Sequence, residues 1–458
     1  MEGIISCIRH RERGGIFVVS GIEGGFKSVE FRSNRSFSVG DSVRLDGIAE
    51  LEPASGTDLA KSVEEALGKK ISSIMRAEVY RKGVEPLDSI TGRLWGRLES
   101  AARLFLRKLL LGVPIVIRFH NDADGSGGAY SLYLSIKELG ERIGFAPNTM
   151  WMMNRGVAYS SAEAENDMLA TNGYSAIEKP LLVIIDFGTA AESNSGISSA
   201  KGKFDIIWLD HHPMTEGFRG TELEHYINPW NFGGDSSYTA GFLASAFSKT
   251  FSAVDTEEYE NASFIGDYST YADTGARGNE ASIIFDLVTS DVGMALGGGR
   301  MNVTPQEFEA IFANEKKRSE LLRYANMRLG EVLDAGIESL RRYKGRDFEI
   351  FMLDFEDVRS DESKYPLPGR FSSKLLDRIV ASGHGRVMVI VHVGAYLLMR
   401  LDKELCKDMS LLDIIAEVKE RYGEGIEGGG GHRCAGTIKL RDKRNKRGVI
   451  NSILGSLK

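Results

Sequence analysis

The sequence predicts an α/β protein built around a parallel sheet covered on both faces, and three observations predict it. Short, mostly apolar runs recur along the chain: Val113 to Phe119, Leu181 to Ile185 and Ile206 to Leu209. A helical pattern over Ser126 to Arg142 separates the first two, and apolar strands alternating with helices mark a parallel sheet buried on both sides. Each run also ends in acids or histidines, and in an open parallel sheet the carboxyl ends of the strands border the ligand crevice.

A length of 458 residues suggests about two to four domains, and 42% apolar with 26% charged residues excludes a largely disordered chain. The formal net charge of -7 means that a nucleic-acid partner has to meet a local basic patch. No apolar signal core follows the N-terminus. The longest apolar stretch, Val387 to Met399, is interrupted by His392 and is shorter than the ~18 residues a membrane span needs. The expectation is a cytoplasmic protein without membrane contact. Three cysteines, Cys7, Cys406 and Cys434, contain no Cys-x-x-Cys. They predict neither a disulfide framework nor a zinc ribbon, and with that a reducing compartment.

Residues 1–56 read as short strands around Gly14-Gly15, Gly21 and Gly24-Gly25, and predict a small OB-like β-barrel or a packing module. Residues 57–112 form a helical arm, in which Trp95, Leu98, Ala102, Phe105 and Leu109 step by three and four. Its Arg93, Arg97, Arg103, Arg107 and Lys108 read as a solvated face, with nucleic-acid contact as the alternative. The sheet-forming segment is 113–300. Residues 301–345 are a charged helical linker, helical over Gln306 to Arg342. Residues 346–458 form a second α/β unit with strands near Ile350 to Leu353 and Val387 to Val393.

The chemistry concentrates at the strand ends. The first strand runs into His120-Asn121-Asp122-Ala123-Asp124-Gly125, the second gives Asp186, and the third gives Asp210-His211-His212. A single Asp of this kind is often a helix cap or turn residue, and a single His a satisfied polar group. Three such clusters on consecutive α/β units point instead to metal. Carboxylates and imidazoles without thiolates suit Mn²⁺ or Mg²⁺, and more than four such ligands are enough for two cations sharing a carboxylate.

HNDADG, VIID and LDHHP, in this order, resemble the first three motifs of the DHH phosphoesterase superfamily. GGGGHRCAG (Gly428 to Gly436) is similar to the GGGH-x-x-A-G motif of the DHH-associated C-terminal domain. The resemblance spans about residues 113–458 and implies a DHH-type catalytic domain with a smaller substrate-binding domain at 346–458. It assigns His120, Asp122, Asp124, Asp186, His211 and Asp267 as ligands of two divalent cations. Mn²⁺ is the first expectation and Mg²⁺ or Co²⁺ the alternatives, with Asp186 bridging. Asp273 is the other candidate for the fourth motif. Asp210 then orients His211 or ligates directly, and His212 contacts the scissile phosphate. Gly429, Gly430, Gly431 and His432 present N–H donors to an anion, against the plainer reading of four glycines as a flexible loop. Arg400 holds a second phosphate or makes a surface salt bridge.

The layout looks most like archaeal RecJ-like proteins, which implies end-directed hydrolysis of single-stranded DNA or RNA. It also implies association with GINS or other replisome proteins. A phosphodiesterase of short oligonucleotides or cyclic dinucleotides is the second expectation, and a replisome scaffold the third. The motif acids and histidines argue against the scaffold, and an inorganic pyrophosphatase does not need the N-terminal segments. The cations Lys439, Arg441, Lys443, Arg444, Lys446 and Arg447 read as a solvated tail, since no aromatic residue is interleaved.

Overall fold

The computed structural model describes the chain apart from residues 11–14, 34–36, 47–49, 54–57, 76–87, 274–275, 292–294, 297–301, 346, 360–363 and 457–458. It divides into two compact units, Met1–Asn279 and Glu280–Lys458. That division falls inside the segment 113–300. The sequence-based limits at 56/57, 300/301 and 345/346 touch residues outside the described ones.

The first unit opens with β1 (Glu2–His10), β2 (Gly15–Ile22), β3 (Phe26–Ser33), β4 (Ser42–Asp46) and β5 (Glu50–Pro53). They form an antiparallel sheet in the order β3-β2-β1-β4-β5. Among the described residues no pairing joins β3 to β5, so the closure a barrel requires is not seen among them. Helices α1 (Leu59–Ile74) and α2 (Asp88–Leu110) follow. The stripe of α2 packs as its period demands: Leu98, Ala102, Phe105 and Leu109 are fully buried, while Trp95 is only half-buried. Its cations do not form a free basic face. Arg107 pairs with Glu64 and Glu178, and Lys108 with Glu178 and Asp205. Arg93 and Arg97 donate to the carbonyls of Phe232 and Glu224, and Arg103 pairs with Glu99. Arg93, Arg97 and Arg103 are exposed, as a solvated face requires, whereas Arg107 is half-buried and Lys108 is buried, and these two brace α2 against its own unit.

The rest of this unit alternates strands and helices. In chain order they are β6 (Ile115–His120), α3 (Ala123–Ile143), β7 (Thr149–Asn154), α4 (Ser161–Thr171), β8 (Tyr174–Ala176) and β9 (Leu181–Ile185). Then come α5 (Asn194–Lys201), β10 (Asp205–Leu209), β11 (His225–Ile227), α6 (Ala240–Lys249), α7 (Glu257–Gly266) and α8 (Ala276–Ser290), the last crossing the division between units. Five strands form a wholly parallel sheet in the order β11-β10-β9-β6-β7. β8 leaves it and pairs with β1, tying the N-terminal sheet to this domain. Residues on β6, β9 and β10 alternate between two apolar clusters, one on each face. All three strands are therefore mostly apolar, and the exception within β6, Arg118, is buried in an ion pair with Asp167. No helix among the described residues is long and apolar enough to cross a membrane.

In the second unit, α9 (Pro305–Phe312) and α10 (Glu315–Ser339) replace the single linker helix. Asn314 makes the break, its side chain accepting from Lys317 N at 3.0 Å as an N-cap. They lead to β12 (Arg341–Lys344), β13 (Glu349–Asp354), α11 (Pro368–Ala381), β14 (Val387–Val393), β15 (Tyr396–Leu401) and α12 (Lys403–Asp408). The unit ends with α13 (Leu411–Tyr422), β16 (Ile426–Gly431), β17 (Ala435–Leu440) and α14 (Lys446–Ser456). The sheet order is β12-β13-β14-β15-β17-β16, parallel only between β13 and β14.

Two expectations change here. The glycine run is a strand and not a loop: Gly428 to Gly431 pair with Lys439 to Gly436 along β17. Glycine is needed for close packing, since a Cβ at Gly436 would lie 2.8 Å from Ile415 Cδ1 of α13 and one at Gly429 would lie 2.9 Å from Thr437 O. Cys406 and Cys434 also form a disulfide, with Cα atoms 5.4 Å apart, while Cys7 is free and buried. The absence of a Cys-x-x-Cys hid this pair, because its cysteines are 28 residues apart in sequence. The cysteine count therefore carries no inference about compartment. The C-terminal cations are partly engaged: Lys439 pairs with Glu427, Arg444 with Asp442, and Lys446 with Asp354. The side chain of Lys443 lies outside the described residues.

Candidate metal centre

The five parallel strands of the first unit end in polar residues at one edge: His120 closes β6, Asn154 closes β7, and Asp186, Asp210 and Asn228 follow β9, β10 and β11. Asp122 caps α3, with Oδ1 accepting from Gly125 N at 3.0 Å, and its Oδ2 lies 2.7 Å from His120 Nδ1. Gly125 is obligatory in this tight turn, since a Cβ there would lie 2.6 Å from His120 O. Asp186 stands in the left-handed region at φ 71°, a conformation that Asp tolerates better than bulky residues. This turns its carboxylate back over the strand ends while its N–H still donates to Leu209 O at 3.0 Å.

Two of the resulting donor groups have no residue in common. His120, Asp122 and Asp186 form one, and Asp124, His211 and Asp267 the other. Asp186 reaches both, with Oδ2 3.7 Å from His120 Nδ1 and Oδ1 3.3 Å from His211 Nε2. Both Asp186 oxygens are buried without a well-formed hydrogen bond. Asp124 is buried and held by the first turn of α6, where Ala240 N and Gly241 N donate to it at 2.9 and 2.6 Å. The partial positive charge of a helix N-terminus suits a carboxylate there.

His211 is the most informative side chain. Its Nδ1 is 2.8 Å from Ser236 O, an acceptor only, so Nδ1 carries the proton. Nε2 then faces Asp124 Oδ2 at 3.3 Å, Asp186 Oδ1 at 3.3 Å and Asp267 Oδ2 at 3.1 Å. A lone pair aimed at three carboxylates demands a positive charge among them, either a proton or a cation. The electrostatics agree. Burial alone would lower His211, but Asp186, Asp267 and Asp124 raise it well above the ordinary histidine value. Burial and its carboxylate neighbours raise Asp124 well above the usual range and Asp122 to about 6. Burial pushes Asp186 upward too, yet His120 and His211 hold it well below the usual carboxylate range. An anionic cluster closed by imidazoles fits divalent cations.

Asp210 contacts both histidines that follow it, and with Asp186, His211 and His212 it forms a further group of donors close enough to share a cation. Its Oδ1 accepts the backbone N–H of His211 at 2.7 Å and of His212 at 3.2 Å, and lies 2.8 Å from His212 Nδ1. It therefore orients the ring of His212; the ring of His211 is set by Ser236. Thr189 Oγ1 donates to Asp210 Oδ2 at 3.0 Å, and Trp230 Nε1 donates to His211 O at 3.0 Å. Sequence reasoning missed these supports, although Thr239 before the apolar start of α6 was a readable cap. Asp267 joins the cluster, whereas Asp273 is exposed, its N–H bound to Asn261 Oδ1. Thr274 and Gly275 beside it lie outside the described residues. The set is graded in exposure: Asp124, Asp186, Asp210 and His211 are buried, His120, Asp122 and Asp267 are partly exposed, and His212 is the most exposed.

In the second unit Arg400 is half-buried on β15, donating to Ser373 Oγ at 2.9 Å and Met399 O at 3.0 Å. Gly429, Gly430 and Gly431 lie on β16 at the end of the sheet, and His432 begins the turn into β17.

Residues 114–263 match the DHH family, N-terminal domain. The uncharacterized protein MJ1198 of Methanocaldococcus jannaschii is 24% identical over 461 residues, covering 86% of this chain. This chain spans 58% of that relative's length. Among solved structures, the DHH domain of a member of the s1p family of ribosomal proteins matches with a TM-score of 0.70 at 18% identity, over 86% of this chain and 97% of that one. RecJ from Thermus thermophilus in complex with Mn²⁺ matches with a TM-score of 0.51 at 12% identity, over 86% of this chain and 59% of that one. The family match and the fold agree on the region that holds Asp186 and Asp210-His211-His212: residues 114–263 carry a DHH-type N-terminal domain, and the fold is similar to those of the DHH-domain protein and of RecJ.

Proposed function

We propose that the protein is a two-metal phosphodiesterase that hydrolyses single-stranded DNA or RNA from an end. The orientation of His211 carries this reading: its Nε2 points at carboxylates from three separate elements, with Asp186 reaching both donor groups. His120, Asp122 and Asp186 would hold one divalent cation, and Asp124, His211 and Asp267 the other, with Mn²⁺ preferred over Mg²⁺ or Co²⁺. When bound there, the cations would lower the pKa of the attacking water and offset charge on the phosphoryl oxygens. Asp210 grips Nδ1 of His212 and so fixes that half-buried ring, whose Nε2 would contact the scissile phosphate. Ser236 and Thr189 keep His211 and Asp210 in these orientations, so little rearrangement is needed on binding.

The second unit supplies phosphate contacts in this reading. Ser373 and the Met399 carbonyl hold the guanidinium of Arg400 in place. Gly429, Gly430 and Gly431 lie on an edge strand, where backbone N–H groups are presented outward, and His432 adds a donor. Association with GINS or another replisome protein belongs to the same proposal and rests on the resemblance alone.

Incubation of the protein with end-labelled single strands of DNA and RNA, with Mn²⁺, Mg²⁺ or Co²⁺, tests the reading. A ladder from one end, absent in Asp186→Asn, is expected. Cleavage confined to dinucleotides or cyclic dinucleotides favours the short-substrate alternative. No hydrolysis with any of these ions removes the enzymatic reading and leaves the scaffold.

A further inference from the structure

The disulfide lies beside the residues proposed to hold phosphate. Cys434 sits in the turn that joins β16 to β17, two residues after His432, and Cys406 lies on α12. The two cysteines are unequal: Cys434 is exposed and Cys406 is buried. Their Cα separation of 5.4 Å is ordinary for a disulfide. The turn is also held by polar contacts. Arg433 donates to the carbonyls of Cys406 at 2.9 Å and Lys407 at 3.0 Å, Leu411 N donates to Arg433 O at 2.8 Å, and Leu401 N donates to Cys434 O at 2.8 Å. The turn therefore has a seat without the covalent bond, and the bond adds a lock.

We propose that Cys406–Cys434 is a reversible thiol–disulfide site, exchanged by low-molecular-weight thiols, that sets the mobility of the β16–β17 turn and thereby the grip of His432 on phosphate. The last step rests on the function proposed above. Exposure of Cys434 makes its sulfur the one an incoming thiolate reaches. Attack there breaks the S–S bond, forms a mixed disulfide at Cys434 and releases Cys406 as a thiolate that takes up a proton. A second thiolate then attacks the small-molecule sulfur of the mixed disulfide and expels the Cys434 thiolate, which is protonated in turn. In total, two small thiols become one small disulfide, and one protein disulfide becomes two protein thiols.

The test equilibrates the full chain in glutathione buffers of graded reduced-to-oxidised ratio, followed by alkylation and mass analysis. Hydrogen exchange is read at the amides of Leu401, Leu411 and His432, and binding of a labelled single strand is read by anisotropy. The expected result is opening of the pair within the buffer range, exchange at these amides about tenfold faster in the reduced form, and strand affinity about three- to tenfold weaker. The Cys406→Ser/Cys434→Ser variant should match the reduced form and ignore the buffer. A pair that stays closed throughout, or opens without changing the three amides, overturns the proposal. So does a double variant that still responds to the buffer. If no strand is bound or cut in any state, the functional reading fails, while alkylation and exchange still decide whether the site is redox-active.

Discussion

Gly241 on the first turn of α6 is where packing and the candidate metal centre meet, and Gly241→Ala tests whether they are coupled. A Cβ at this position would lie 1.9 Å from Ser263 Oγ, 2.5 Å from Ser263 Cβ and 2.8 Å from Asp124 Oδ1. All three are shorter than real Cβ contacts. Ser263 is fully buried on α7 and cannot swing into solvent, and rotating it would break its bond to Tyr259 O at 3.0 Å. Strain of about 2–3 kcal/mol is the expected cost of overpacking at such a site, or a melting temperature lower by roughly 4–10 °C for a unit of this size. The second consequence is local. The Asp124 carboxylate must move, although Gly241 N holds it at 2.6 Å, and Mn²⁺ binding should weaken by about tenfold or more. Thermal melting and calorimetric Mn²⁺ titration read the two effects separately. Gly202→Ala is the control: nothing lies within 4 Å of a Cβ there, so it should change stability by less than about 0.5 kcal/mol. A Gly241→Ala protein that melts with the parent and binds Mn²⁺ equally well would refute the coupling of α6 to Asp124.

The shared carboxylate gives the second expectation: Asp186→Asn keeps a residue that tolerates the left-handed backbone, so circular dichroism should be unchanged while hydrolysis falls below detection. Survival of activity within a few-fold of the parent would remove the bridging role. Asp267→Asn should likewise abolish hydrolysis, whereas Asp273→Asn, on an exposed side chain outside the donor groups found among the described residues, should retain most of it; kinetic assays showing the reverse order would reassign the fourth motif. Arg400→Ala and His432→Ala should raise KM on single strands without altering Mn²⁺ titrations, and unchanged kinetics in both would exclude phosphate binding by the second unit. In that unit Asp354 lies 2.6 Å from Lys446 Nζ and 2.7 Å from His392 Nδ1; burial pushes its carboxyl up, but these partners hold it below its ordinary 3.8. Because the folded pKa is depressed, the stabilisation is complete above the unfolded value and is lost as pH falls through the folded one. Asp354→Asn should therefore cost about 1 kcal/mol or less at neutral pH, given solvent screening, and nothing once pH is well below 3.8; a difference in denaturation midpoint that persists in acid would count against these pairs.

What the sequence made legible follows from which interactions are local in the chain. β6, β9 and β10 announce themselves because a strand covered on both faces is apolar at nearly every position, and their terminal acids and histidine follow at once; Arg118 in β6 is tolerated because Asp167 pairs with it in the interior. β7 and β11 do not, since TMWMMN alternates only weakly and a three-residue strand has no period to read. The donors His120, Asp122, Asp124, Asp186 and His211 were visible as side-chain types at strand ends. The groups that aim them were not, because backbone atoms do the aiming. A carbonyl at Ser236 sets the tautomer of His211, and two amide N–H groups at the start of α6 anchor Asp124. Any residue type offers those atoms, so no letter in the sequence marks them. The same reasoning explains two features of the second unit that were not legible. Four consecutive glycines suggest a loop because they lack side chains to pack, but here α13 lies close enough over the sheet that a side chain at Gly429 on β16 or Gly436 on β17 would crowd Ile415. Glycine in this strand records the proximity of another element, which only the tertiary structure reveals. Cys406 and Cys434 are likewise brought together by sheet order: β15 and β16 both flank β17, which sets the residue following β15 by five beside the turn that leaves β16.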